Sequence, residues 1–381
     1  MTLMPSETLA ADAPATIAPP RQITVALDMA GCPNRCRHCY LGQAAGGVMQ
    51  PDDLRWAVAQ FRAYVHPRET RPYFDEIKVS SWVREPDLSA DYRGLYALEQ
   101  ELDDGEPDRF ELLSIYRLAR DATYARWAQE IGTEACQISF FGVGATQDWF
   151  YRRRGAFDDC LVATERLLAH GIAPRWQIFC TTKLLPELGE LLALIDRLEL
   201  HKRSAAIGRP FQVFVHTPAP DGEARHIEHL RPRLDEVANL PPSLMQASRT
   251  YLGREQMWQT EAQWLEELQT RGSKGELTRP FAYGMPPRLV FYILPDWSVY
   301  TNIGTLEPWW NLGNLRAEGV ATILLRLERA QPLGYDTIYR VDPLALARQQ
   351  GERQGQRIYD SLNDLLGLYV GRHCFPSRSG E

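Results

Sequence analysis

Along residues 22–245, short apolar stretches alternate with longer amphipathic ones, the pattern of repeated strand-helix units feeding a parallel sheet. Six stretches have the length and apolar content of strands: 22–29, 76–82, 110–118, 136–143, 175–182 and 211–217. Between them, 51–64, 122–131, 156–170 and 185–198 read as helices. In 156–170, Cys160, Leu161, Ala163, Thr164, Leu167 and Leu168 recur at helical spacing. The pattern predicts an α/β fold. Turn-forming residues at 218–222 close the repeats. Beyond them 234–240, 243–251 and 255–268 read as helices and 272–279 as a flexible joint. The periodicity then changes: 288–294 and 298–302 read as two strands about Pro295-Asp296-Trp297, followed by 311–315 and a helix over 318–327.

Strand alternation identifies a lumen, because residues two apart point the same way. Gln177, Phe179 and Thr181 share one face of the fifth strand, and Gln212, Phe214 and His216 share one face of the sixth. Polar groups on such faces need partners, as in a cavity that holds a cofactor and substrate. His216 is a candidate substrate contact; the plainer reading is a structural hydrogen-bonding residue.

Length adds a soft expectation of two domains for 381 residues. A chain that is 44% hydrophobic and 24% charged has an ordinary globular composition. Residues 1–20, rich in Ala, Pro, Thr and Ser, read as a flexible leader and lack the pattern of a secretory signal. No apolar run reaches the roughly 18 residues that would suggest a membrane span. A formal net charge of -7 argues against broad nucleic-acid binding. The seven cysteines do not form a disulfide framework, which predicts a reducing compartment, the cytoplasm.

Three of those cysteines, Cys32, Cys36 and Cys39, lie in the run Gly-Cys-Pro-Asn-Arg-Cys-Arg-His-Cys-Tyr. Thiolates at this spacing can surround one iron-sulfur cube from a single loop and leave one iron without a protein ligand. Zinc is the alternative, with His38 as a fourth ligand. Against it, His38 sits between Cys36 and Cys39, and no second, separated Cys/His pair follows. Three cysteines in eight residues, beside Asn34, Arg35 and Arg37, also do not read as core packing.

The cysteine run resembles the signature of the radical S-adenosylmethionine superfamily. The resemblance implies one 4Fe-4S cluster held by Cys32, Cys36 and Cys39, S-adenosylmethionine chelated at the open iron, and a 5′-deoxyadenosyl radical that abstracts hydrogen. It implies a partial (β/α)6 TIM-like barrel over 22–245, with 1–21 as leader and 246–280 as a helical connection. His38 takes a position usually aromatic and near the adenine. Ser80-Ser-Trp-Val-Arg-Glu-Pro86 lies where the family carries a Gly-Gly-Glu-Pro turn, which assigns Glu85 to the cofactor's amino group, although Trp82, Val83 and Arg84 replace the glycines. Gln137-Ile-Ser-Phe-Phe-Gly142, followed by Asp148, Arg152, Gly155 and Phe157, resembles a second family block. It assigns cofactor contacts to Ser139 and Arg152, with Arg153 or Arg154 as alternatives to the latter because the loop is one residue longer.

Residues 281–381 resemble a small α+β extension of the SPASM or twitch type without its auxiliary clusters, since Thr301 and Asn302 stand where a cysteine is expected. Its Tyr292, Trp297, Tyr300, Trp309 and Trp310 are candidates for a substrate cleft or for core. A small molecule or natural-product intermediate is the expected substrate, and a peptide the alternative. An electron donor such as flavodoxin or ferredoxin is implied. One cluster favours a redox-neutral rearrangement, elimination or epimerisation, with Cys374, Cys180 or Cys136 as candidate hydrogen donors. A non-catalytic iron-sulfur or zinc protein that senses redox state or mediates an interaction is the reading from another class.

Overall fold

A computed structural model of the chain describes residues 17–375 apart from 45, 82, 85–87, 106–110 and 284–285. Strands β1 (Gln22–Leu27), β2 (Glu76–Ser80), β3 (Ala135–Phe140), β4 (Ala173–Phe179) and β5 (Gln212–His216) follow one another with helices between. Next come the short β6 (Gln259–Thr260), the hairpin β7 (Leu289–Ile293) and β8 (Val299–Thr301), and β9 (Ile358–Tyr359). Two parallel sets form the barrel wall: β2-β1-β7, which β8 extends antiparallel, and β3-β4-β5.

Burial explains the two strand types. In β1, Ile23 through Leu27 are all buried, as a parallel strand covered on both faces requires. On β4, Trp176 and Ile178 are fully buried while Gln177 and Phe179 are only partly so. Trp176 packs in the core with Leu167 of helix Ala156–Ala169 and donates its indole N–H to Thr164 Oγ1 (3.3 Å).

The expected strand over 110–118 is corrected. Ile115–Arg120 is a helix, capped by Ser114, whose hydroxyl accepts the Arg117 N–H at 3.1 Å. That cap commits the following residues to helical backbone. Residue 110 lies outside the described residues, and Glu111 lends β3 one hydrogen bond, Gln137 N–H to Glu111 carbonyl (2.9 Å). The expected helix at 234–240 is also absent and the segment forms turns. Its backbone is drawn elsewhere: Leu234 N–H bonds the Gln356 carbonyl (3.2 Å), and Arg233 bridges Arg357. A helix not read from the pattern, Tyr92–Leu102, is capped by Asp91 through the Gly94 N–H (2.9 Å).

The C-terminal hairpin completes the barrel's first sheet. Val25 faces Val79 on one side and Phe291 on the other. One core therefore runs from Ile23, Val25 and Phe61 through Phe291 to Leu365, Tyr369 and Val370 of helix Leu362–Cys374. Trp310 also belongs to this core, while Tyr292, Trp297 and Trp309 are partly buried against it.

Truncation of Phe291, fully buried between two strands, tests that continuity. Phe291→Ala is expected to cost about 3–5 kcal/mol, and chemical denaturation should show the whole first core melting earlier in one transition. A separate C-terminal transition, with the remainder unmoved, would contradict a shared core.

A candidate cofactor chamber inside the barrel

The cysteine loop leaves β1 at Asp28, which is buried. Asp28 Oδ1 accepts the Gly31 N–H (3.0 Å) and Oδ2 accepts the Arg84 Nε–H (3.2 Å). Burial raises the Asp28 pKa, and the arginine opposes that rise. Arg84, itself buried, spends its remaining donors on three successive loop carbonyls: Leu41 (3.0 Å), Gly42 (2.8 Å) and Gln43 (3.0 Å). It also lies 3.8 Å from Cys39 Sγ. A planar fork can hold such a row; a point-charge ammonium cannot.

The loop is fixed on two other sides. Asn34 Oδ1 accepts from Arg153 Nε (2.7 Å), Arg37 N–H bonds the Phe150 carbonyl (2.7 Å), and the Arg37 guanidinium lies 4.3 Å from the Trp149 ring centre. From beyond β5, Glu223 N–H bonds the Cys39 carbonyl (2.9 Å). Gly222 beside it has φ +57, and a Cβ there would lie 2.5 Å from the Tyr40 carbonyl oxygen. Only glycine meets both demands.

Cys32, Cys36 and Cys39 all line one chamber of about 540 Å³, together with His38, Arg84, Gln137, Ser139, Gln177, His216 and Tyr292. Among the described residues, no three His, Cys, Asp or Glu side chains are gathered tightly enough to hold a single metal ion. The donor set fits a cube better than zinc, because three thiols suit iron-sulfur ligation, a cube takes its thiolates from separate corners, and the neighbouring His38 ring is stacked on Phe141. His38 stacks on Phe141 with ring centres 3.8 Å apart, and its Nδ1 is buried without a partner. Removal from water holds its pKa down to about 3, so the ring is neutral.

The lumen side is a polar chain. Gln177 Oε1 accepts from Gln137 Nε2 (2.7 Å) and Ser139 Oγ (2.9 Å), while Gln177 Nε2 lies 2.6 Å from His216 Nε2. His216 Nδ1 is 3.3 Å from Asp360, whose carboxylate also accepts the Thr217 N–H (3.1 Å) and hydroxyl (3.0 Å). Strand alternation exposes Gln177 and His216 to sequence reading. Arg84 and Asp360 were missed there, since their partners lie 56 and 143 residues away.

The remaining candidates stand elsewhere. Glu85 lies outside the described residues. Arg152 pairs with Glu223 (3.0 Å) and is absent from the chamber wall, while Arg153 reaches the cysteine loop. Cys136 and Cys180 are fully buried in the core around Trp176, and burial pushes the Cys180 thiol far up. Cys374, at the end of the last helix, sits 3.7 Å from Thr337 Oγ1, and burial raises its pKa to about 11.

Comparison with solved structures places this geometry. Native anSMEcpe with bound AdoMet aligns at a TM-score of 0.51 and 11% identity, covering 93% of this chain and 97% of that one. A histidine-tagged form of anSMEcpe with bound AdoMet gives 0.52 and 11%, covering 93% of each chain. The chain shares the fold of anSMEcpe. Native anSMEcpe with bound AdoMet and Kp18Cys peptide shares that fold with it at 0.50 and 11% identity, covering 93% and 97%. No family model and no curated protein matches the sequence.

Arg84→Met should leave Asp28 buried and unpaired, at a cost of about 3–5 kcal/mol, and free three loop carbonyls. The expected result is a lower melting temperature and a fall in iron bound after anaerobic reconstitution. Arg84→Lys should recover part of the stability but not the iron. Full iron loading in Arg84→Met would remove the residue from loop positioning.

Proposed function

We propose that this chain is a radical S-adenosylmethionine enzyme acting on a small molecule. The observation that carries the reading is the opening of Cys32, Cys36 and Cys39 onto one chamber inside this fold. When bound there, a 4Fe-4S cluster with S-adenosylmethionine supplies one-electron cleavage of the sulfonium and a 5′-deoxyadenosyl radical that abstracts hydrogen. The chain's own residues bind and orient. The three thiolates hold the cluster, and Arg84 keeps their loop in shape through its carbonyls. His38, neutral and stacked on Phe141, offers a flat wall for the adenine, and Ser139 presents its hydroxyl from β3. Glu85 is proposed for the amino group of the cofactor. For the carboxylate, Arg152 is proposed, with Arg153 or Arg154 as its alternatives.

His216 and Gln177 are proposed as substrate contacts, because both line the chamber and both are held from behind. Cys136 lies on β3, Cys160 and Cys374 on two different helices and Cys180 just after β4, which supports one cluster and with it a redox-neutral rearrangement, elimination or epimerisation. A flavodoxin or ferredoxin as donor and a cytoplasmic setting belong to the same proposal. The peptide reading is favoured by one observation, the shared fold with anSMEcpe carrying a bound peptide.

The test is anaerobic incubation with dithionite and S-adenosylmethionine. The wild-type chain should release 5′-deoxyadenosine slowly without substrate, and Cys32→Ala, Cys36→Ala and Cys39→Ala should each abolish it while circular dichroism stays unchanged. Iron should reach about four atoms per chain. A clustered chain that never releases 5′-deoxyadenosine would support the non-catalytic reading, and about eight irons with a second paramagnetic signal would refute the single cluster. In deuterated water with the true substrate, deuterium in the product that disappears in one of Cys136→Ala, Cys180→Ala or Cys374→Ala would identify a thiol donor.

A further inference from the structure

We propose that a second chamber, bounded by Asp221, Asp364 and Thr305, receives a positively charged amine of the substrate; this rests on the radical reading above. The chamber encloses about 280 Å³ and shares Tyr40, Leu41 and Tyr292 with the cofactor chamber. A molecule anchored in one therefore extends toward the other.

Charge is the first argument. Asp221 follows β5 and Asp364 lies in the first turn of helix Leu362–Cys374, so the barrel and the C-terminal region each bring one carboxylate to the same wall. Asp221 accepts the Tyr283 hydroxyl (2.9 Å), a neutral donor. Neither carboxylate has an ion pair within 4 Å among the described residues. The buried Arg231 is spent: Nε on Glu228 (3.0 Å), one terminal nitrogen on the Ile358 carbonyl (3.1 Å) and the other on the Pro218 carbonyl (2.6 Å). Arg225 pairs with Glu307. Burial pushes Asp221 up to about 6 and raises Asp364 as well, and the attraction of Arg231, with Arg254 and Ser361 at Asp364, only partly opposes it.

Thr305 is the second, independent argument. It lines this chamber at 6% exposure, and its hydroxyl is buried with no hydrogen-bond partner. An unpartnered buried hydroxyl is costly, and a ligand donor would relieve it. A primary ammonium carries three donors, enough for two carboxylates and one hydroxyl. The rings of Tyr40, Tyr283 and Tyr292 complete a wall suited to a cation. A metal ion is a poorer occupant, since no three ligating side chains are gathered there among the described residues.

Saturation-transfer NMR near neutral pH with n-butylammonium, 1-butanol and butyrate as probes tests the site. Butylammonium should bind the wild-type chain, with 1-butanol and butyrate each weaker by roughly tenfold or more. Asp221→Asn and Asp364→Asn should each weaken butylammonium by a similar factor; if either fails to fold, Thr305→Val, which changes no charge, should weaken it several-fold. Equal binding of 1-butanol, or unchanged butylammonium affinity in the folded variants, overturns the amine site. Release of 5′-deoxyadenosine by the reconstituted wild-type chain, measured without any probe, reports separately on the radical reading. If that release is seen and butylammonium does not bind, the amine site alone is lost; if butylammonium binds and no release occurs, the radical reading fails.

Discussion

The contact between Asp28 and Arg84 sets the shape of everything at the barrel mouth. Asp28 directly follows β1, and Arg84 lies shortly after β2, its parallel neighbour; the pair ties the exits of two strands together. Both groups are buried, so each would be costly alone. Together they leave the guanidinium with donors to spare, and those donors face the carbonyls of residues 41–43. A loop that must present three thiols inward cannot form a regular ladder outward. Its carbonyls need donors from elsewhere, and one arginine supplies them.

The same economy places the C-terminal region. Strand β1 would have an open edge without β7, and a buried edge strand has unpaired backbone groups on one side. With β7 in place, the hairpin is part of the barrel sheet, and the residues after it pack into the core that covers β1. The C-terminal region also contributes Asp360, Asp364, Tyr292 and Thr305 to the two chambers or the polar chain beside them. Barrel and extension thus build the site jointly.

What could be read in the sequence follows from distance along the chain. The cysteine run is local, so spacing alone exposes it, and strand alternation is local too, which is how Gln177 and His216 came to share a lumen. Six strand-helix units were expected over 22–245, and five of the strands form. The third did not, because an apolar stretch at 110–118 reads equally as strand or buried helix, and the Ser114 cap decided it. Arg84 looked like an intruder among missing glycines. Its role depends on Asp28 and on loop carbonyls more than 40 residues away, which no local pattern contains.

The polar chain across the lumen shows how a distant residue fixes a near one. A carboxylate beside His216 Nδ1 calls for a proton on that nitrogen, and in the tautomer protonated only there Nε2 is the acceptor. Gln177 must then turn its amide nitrogen to His216 and its oxygen to Gln137 and Ser139, as the distances show. The direction of every hydrogen bond on that face is thereby set by Asp360, which stands just before the last helix and carries no signal of its own in the sequence. The hydrogen-bonding face that β3 and β4 present to a ligand is therefore tied, through His216 and Asp360, to the C-terminal region.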